Sequence, residues 1–127
     1  NTDGNQYRAV LMSLTQYDSE RIKRLAKYLK ISAWYLEEKA DSVVYFVQMG
    51  NSKGPIKIGV SGEKSLAGRI SSLRTGSPHE ITLLGTMPGS RYIERTLHRT
   101  FKKYRMNGEW FEASDTLRSF IVLYIIK

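Results

Sequence analysis

Val43-Val44-Tyr45-Phe46-Val47 and Ile56-Lys57-Ile58-Gly59-Val60 are the stretch whose reading decides the fold. The first run is β-branched and aromatic, and the second alternates around Lys57, so both read as strands. Gly50, Asn51, Ser52, Lys53, Gly54 and Pro55 separate them with turn-forming residues, which makes a β-hairpin the economical connection. With a side-chain period of two, Tyr45 shares a face with Val43 and Val47, and Lys57 points away from Ile56 and Ile58. Strand register then decides whether Tyr45 and Lys57 meet.

Outward from the hairpin the period changes to helical. Upstream, Tyr7, Val10, Leu11 and Leu14 recur at helical spacing, as do Ile22, Leu25 and Leu29 after the capping candidate Ser19. Ser32 can cap a third helix, Ala33 to Lys39, with Trp34 and Leu36 as apolar anchors. Such a helical unit is too small to be stable alone and is expected to pack on the rest of the chain. Downstream, Leu66, Ile70 and Leu73 mark a helix ending near Gly76 and Pro78, and Ile81 to Leu84 forms a third strand. Ile93, Leu97, Phe101 and Tyr104 stripe a longer helix closed by Asn107 and Gly108. Trp110 and Phe111 plug the core, and Asp115 starts a last helix through Ile126. The expected fold class is α+β, a small antiparallel three-stranded sheet flanked by helices. A helical N-terminal segment, 1–41, precedes the sheet-containing domain, 42–127.

A chain of 127 residues supports one compact domain with a real core. Its net charge of +8 is uneven: residues 43–127 hold 13 Lys and Arg against 6 Asp and Glu, whereas residues 1–42 hold 7 against 6. Concentrated positive charge favours a polyanionic partner, nucleic acid before an anionic membrane surface. The absence of cysteine excludes disulfide frameworks and thiolate metal sites such as zinc fingers, and fits a reducing intracellular setting. No stretch approaches the roughly 20 apolar residues of a membrane span, and the polar start Asn1 to Gln6 does not read as a signal peptide.

Four polar residues stand beside apolar runs that would bury part of each. An ammonium at Lys57 meeting the Tyr45 phenol would favour the phenolate, lowering a pKa that starts near 10. The bland readings are a half-buried strand tyrosine and a solvated lysine. Arg69 lies one turn from Leu66 and Leu73, so its stem follows the packed face while its planar, permanently charged fork reaches out to a phosphate. An arginine edging the core explains it equally. Glu94 sits near the start of its helix with His98 one turn on; one carboxylate and a substrate phosphate can hold Mg²⁺. The pair also reads as an i, i+4 surface contact, and no second carboxylate stands nearby in sequence.

Val43-Val44-Tyr45, Lys57-Ile58-Gly59, Arg69 within Ala67-Gly68-Arg69-Ile70-Ser71-Ser72-Leu73, and Glu94 in a later helix together resemble the GIY-YIG nuclease superfamily. The closer likeness is to a bacterial and phage branch with a K-I-G second motif, an E-x-x-x-H helix (Glu94 to His98) and G-E-W-F (Gly108 to Phe111). It covers residues 43 to about 124. What the resemblance implies is a metal-dependent DNA endonuclease, a phosphodiester hydrolase of the bacterial or phage-infected cytoplasm. In that reading Tyr45 deprotonates or orients the attacking water, Arg69 steadies the scissile phosphate, and Glu94 holds Mg²⁺ or Mn²⁺. Lys57 and His98 complete the candidate catalytic set. The family glycine and isoleucine are Val43 and Val44 here, the second-motif tyrosine is Lys57, and the terminal asparagine has no clear match beyond Asn107. A non-catalytic DNA-binding module of the same fold is the alternative.

Lys64, Arg74, Arg91, Arg95, Arg99 and Lys102 are the expected duplex contacts, tracking phosphates rather than reading bases. Lys103 and Arg105 add to the same charge, and a solubilising helix face explains Lys102 and Lys103 as well. His79 reads as a turn residue. Leu25, Ala26, Leu29, Ile31 and Leu36 fit a partial helix-turn-helix, against which stand Lys30 in place of the turn glycine and the acidic Glu37 and Glu38.

Overall fold

A computed structural model of the protein describes residues 16–37 and 42–126. The helix expected over Tyr7 to Leu14 and the part of the third helix beyond Glu37 lie outside the described residues. Helix α1 is Ser19–Leu29 and α2 is Trp34–Glu37. The cap of α1 is Asp18, which accepts a hydrogen bond from the Arg21 amide, so Ser19 is the first helical residue rather than the cap. Lys30 closes α1 in the left-handed conformation (φ 59°) that a glycine would take more readily.

The hairpin forms as its alternation dictates. Strand β1 (Ser42–Met49) pairs antiparallel with β2 (Ile56–Gly62), with Tyr45 opposite Gly59 and Val47 opposite Lys57. After a single 3-10 turn, Glu63–Ser65, come α3 (Leu66–Gly76) and β3 (Ile81–Pro88), which pairs with the other edge of β1. Helix α4 is Arg91–Thr100, capped by Ser90.

Beyond α4 the structure departs from expectation. The helix does not run on to Tyr104; a 3-10 turn at Lys102–Tyr104 leads into β4 (Arg105–Asn107), and β5 (Trp110–Phe111) returns against β2. The sheet therefore has five strands, in the order β3-β1-β2-β5-β4, instead of three. Asn107 and Gly108 belong to a hairpin and not to a helix end: Asn107 ends β4 and pairs with Trp110 across a Gly108-Glu109 turn, and Gly108 sits at φ 57°, where glycine is favoured. Helix α5, Asp115–Tyr124, is capped by Ser114.

The two faces of β1 bury different clusters. Val43, Tyr45 and Val47 pack with Leu66 and Ile70 of α3 and Ile81 of β3. Val44 and Phe46 pack with Ile56, Ile58 and Met87 against α1, α4 and α5, around fully buried Phe101, Phe111 and Phe120. Each such side chain contributes roughly 1.5–3 kcal/mol by leaving water. The N-terminal helices share this second core through Ile22, Leu25, Leu29 and Leu36, as their apolar stripe required. Tyr17 fastens the arrangement: its hydroxyl donates to the Thr86 carbonyl at 2.7 Å and accepts from the Ile126 amide at 2.9 Å.

Candidate functional site

The register of the hairpin brings Tyr45 and Lys57 to the same face of the sheet, because Val47, opposite Lys57, lies on the Tyr45 face. With Gly68, Arg69 and Ser72 of α3 they line a cleft of about 440 Å³. Gly59 gives the tyrosine its place: a Cβ there would stand 2.5 Å from Cζ of the Tyr45 ring and 2.6 Å from its hydroxyl, so the ring lies across a position that tolerates no side chain.

The short β5 leaves the outer edge of β2 without a strand partner beyond Lys57, and two other elements take the backbone groups that Ile58 presents there. Its amide donates to the Glu109 carbonyl at 3.0 Å, and its carbonyl accepts from His98 Nε2 at 2.9 Å. A carbonyl only accepts, so Nε2 of His98 is the donor in this contact. His98 is thus a clip between α4 and β2, packed against Phe111.

The same hairpin turn delivers a carboxylate, Glu109, that stands within the Gly108 to Phe111 motif but was given no role from the sequence. Glu109 Oε2 lies 2.6 Å from Lys57 Nζ, and the lysine also stands over the Trp110 ring. Buried, Glu109 would rise, but the hydrogen bond and charge of Lys57 hold it below the ordinary carboxylate range. Glu94, 4% exposed, goes the other way: burial pushes it up, and the Glu109 charge adds to the rise. Its Oε1 has a long ion pair with Arg91, at 3.9 Å, while Oε2 is buried with no donor beside it, and a hydrogen bond shared between the Glu94 and Glu109 carboxyls adds to the rise. The second carboxylate absent from the neighbourhood of Glu94 in sequence is therefore supplied in space by Glu109. An Asn-Gly dipeptide read as a hairpin signal would have pointed to it.

Tyr45 does not become the acidic phenol expected from a neighbouring ammonium. Burial raises its pKa first and the Glu109 carboxylate second, whereas Arg69 beside the hydroxyl opposes the rise. Lys57 fails to lower it because its charge is committed to Glu109. At neutral pH Tyr45 is a protonated hydrogen-bonding group.

Glu94 suits a divalent cation on the chemistry of its donors: a buried carboxylate with an orphaned oxygen, under the field of a second carboxylate, is relieved by positive charge. Among the described residues no cluster of three or more His, Asp or Glu side chains is arranged as a metal cage. Mg²⁺ is commonly held by one or two carboxylates with waters and substrate phosphate.

Lys64, Arg74, Arg91, Arg95, Arg99 and Lys102 are not buried and stand at the surface. Arg74 also donates to the Ile81 carbonyl, and Arg99 leans on Thr96. His79 is exposed in the turn before β3. No helix among the described residues is long and apolar enough to cross a membrane.

No curated protein and no solved structure gives a significant match to the chain. The T5orf172 domain matches residues 42–123. That match corrects the assignment to the GIY-YIG superfamily, which rested on short motifs with Val43, Val44 and Lys57 standing where its own signature residues should be. The match spans more than half of the chain and the whole sheet up to α5, so the protein belongs to the T5orf172 domain family, which is in general nuclease-like or DNA-binding.

Proposed function

We propose that the protein is a metal-dependent DNA endonuclease that hydrolyses phosphodiester bonds in the cleft between β1, β2 and α3. The observation that carries this reading is the meeting of Tyr45, Arg69 and Lys57 in one cleft near a buried carboxylate with an orphaned oxygen. The Arg69 fork holds two non-bridging oxygens of the scissile phosphate and offsets their charge. Tyr45, protonated and backed by Arg69, orients the attacking water through its hydroxyl. The water oxygen forms a new P–O bond as the bond to the ester leaving oxygen breaks, and the proton the water gives up passes through solvent to that leaving oxygen. Glu94 is the residue to hold Mg²⁺ or Mn²⁺, whose chemistry is Lewis-acid stabilisation of charge on phosphate and leaving oxygen. Glu109 keeps Lys57 in place at the cleft wall, and His98 keeps α4, and with it Glu94, against β2. The exposed basic residues track the DNA backbone, so binding weakens steeply with salt.

A second reading, a DNA-binding module that does not cut, is favoured by two observations: the cleft lysine is paired with Glu109, and Tyr45 is held protonated. Incubating supercoiled plasmid with the protein and Mg²⁺ or Mn²⁺ separates the two. Nicking that is lost in Tyr45→Phe and Glu94→Ala supports hydrolysis at this site. Nicking that survives both substitutions refutes the site. Salt-sensitive retardation of DNA without nicking supports the binding module.

A further inference from the structure

Six large hydrophobic residues are exposed among those described, and three of them form one cluster: Trp34 (57%), Tyr35 (37%) and Tyr92 (39%). Tyr35 of α2 stacks on Tyr92 of α4 with ring centroids 4.3 Å apart at 29°, and Trp34 meets Tyr35 edge-on at 5.1 Å and 74°. Leu36, buried on the other side of α2, anchors this short helix to the core. The ladder is therefore fixed at its base and open at its tip, where Trp34 keeps a broad indole surface in water. An exposed aromatic array of this kind marks an interaction site more readily than a folding need.

Its surroundings define the partner. On α4, Tyr92, Arg95 and Arg99 follow one another at i, i+3 and i, i+4 spacing, so the ladder runs into a stripe of arginines. Arg91 reaches Glu94 at 3.9 Å, whereas Tyr92, two residues from Glu94, lies about 200° round the helix from it, so the ladder and the arginine stripe occupy the face of α4 turned away from the buried carboxylate. Flat π surfaces beside guanidinium groups suit a polymer with stackable rings and a regular anionic backbone. Paired bases in a duplex hide their faces from such a platform, whereas unpaired bases present them.

We infer that Trp34, Tyr35 and Tyr92, with Arg95 and Arg99, form a stacking platform for an unpaired DNA strand on the outer face of α4, which makes branched or tailed DNA the preferred ligand. This rests on the reading of the protein as DNA-binding and adds to it the kind of DNA. The tip residue Trp34 stacks on a base of the unpaired strand, and the arginines hold the adjoining phosphates.

The test is fluorescence anisotropy, in EDTA to prevent cleavage, with a blunt duplex and the same duplex carrying an unpaired tail at either end. The wild type binds one tailed form about tenfold more tightly than the blunt duplex, as expected for one stacked base. Trp34→Ala and Tyr92→Ala lose that gain while binding the blunt duplex within about twofold of wild type, and Trp34→Phe keeps most of it. Unchanged far-ultraviolet circular dichroism verifies folding of each variant. Salt-sensitive binding of blunt duplex with no gain from either tail, or a gain that survives both alanine variants, overturns the platform and leaves the DNA-binding reading standing. Failure to bind either DNA at low salt removes both.

Discussion

Lys57 Nζ and Glu109 Oε2 are 2.6 Å apart although 52 residues of chain separate them. The contact exists because the Gly108-Glu109 turn folds β5 back against the start of β2, placing Glu109 where Lys57 leaves the sheet. A charge-assisted hydrogen bond is worth roughly 1.5–3 kcal/mol when sheltered. Here the Glu109 side chain is 38% exposed, so water screens part of it.

A double-mutant cycle of Lys57→Met and Glu109→Gln, read by urea unfolding at pH 7, is expected to give a coupling of about 1 kcal/mol. Glu109 is held below the ordinary carboxylate range when folded, so this stability is present above the unfolded pKa, near 4.3, and is lost as pH falls through the folded value. The coupling should accordingly shrink in acid below about pH 4. An undiminished coupling at pH 2 would contradict an ionic origin.

Gly59→Ala places a methyl group against the Tyr45 ring, and the ring has to move. The expected cost is about 1–3 kcal/mol, the range for overpacking. In a Tyr45→Ala background the clash has no partner, so the same glycine substitution should cost markedly less. Equal costs in the two backgrounds, measured by thermal unfolding, would show that the ring does not depend on Gly59.

Glu94 carries a carboxylate that burial and Glu109 push up, so keeping it ionised costs folding energy at neutral pH. Its folded pKa exceeds the unfolded one; the wild type therefore loses stability as pH rises from the unfolded value through the folded one, and Glu94→Gln lacks this loss. In metal-free buffer at pH 7 the glutamine variant should unfold at higher denaturant than wild type. Added Mn²⁺ should raise the wild-type midpoint and leave the variant unmoved, a difference that calorimetry can follow. A variant that is less stable without metal would contradict the orphaned-carboxylate description.

Tyr17 is pushed up to about 12, chiefly by burial. Because its folded pKa is raised, its contribution is complete below the unfolded value near 10 and is lost as pH rises from there through 12. That amounts to on the order of 2–3 kcal/mol across the window. Tyr17→Phe should cost about 1–2 kcal/mol at pH 7 by removing the bridge between Thr86 and Ile126. It should also flatten the alkaline decline between pH 10 and 12. A decline as steep as that of the wild type would assign the alkaline sensitivity to other tyrosines.

The hairpin, the alternation that puts Tyr45 and Val47 on one face, and the helical stripes of α1, α3 and α4 were legible in the residues themselves. Each depends on a period of two or 3.6 along a continuous segment, and burial of one face enforces it. So was the polar series Tyr45, Lys57, Arg69 and Glu94, three of which the structure brings to one cleft, with Glu94 close enough for its charge to act on the phenol. What the chain alone did not decide was electrostatic and non-local. Whether Lys57 tunes Tyr45 or pairs elsewhere depends on a carboxylate carried in by a hairpin much further along, and a phenol's acidity answers to the nearest charges and its burial rather than its sequence neighbours. The same holds for the proton on His98, set by the carbonyl of Ile58, and for the stacking of Tyr35 on Tyr92, set by where α2 docks. Sequence determined the elements because their causes lie within a few residues; tertiary structure decided the chemistry because ionisation and stacking depend on distances across the fold.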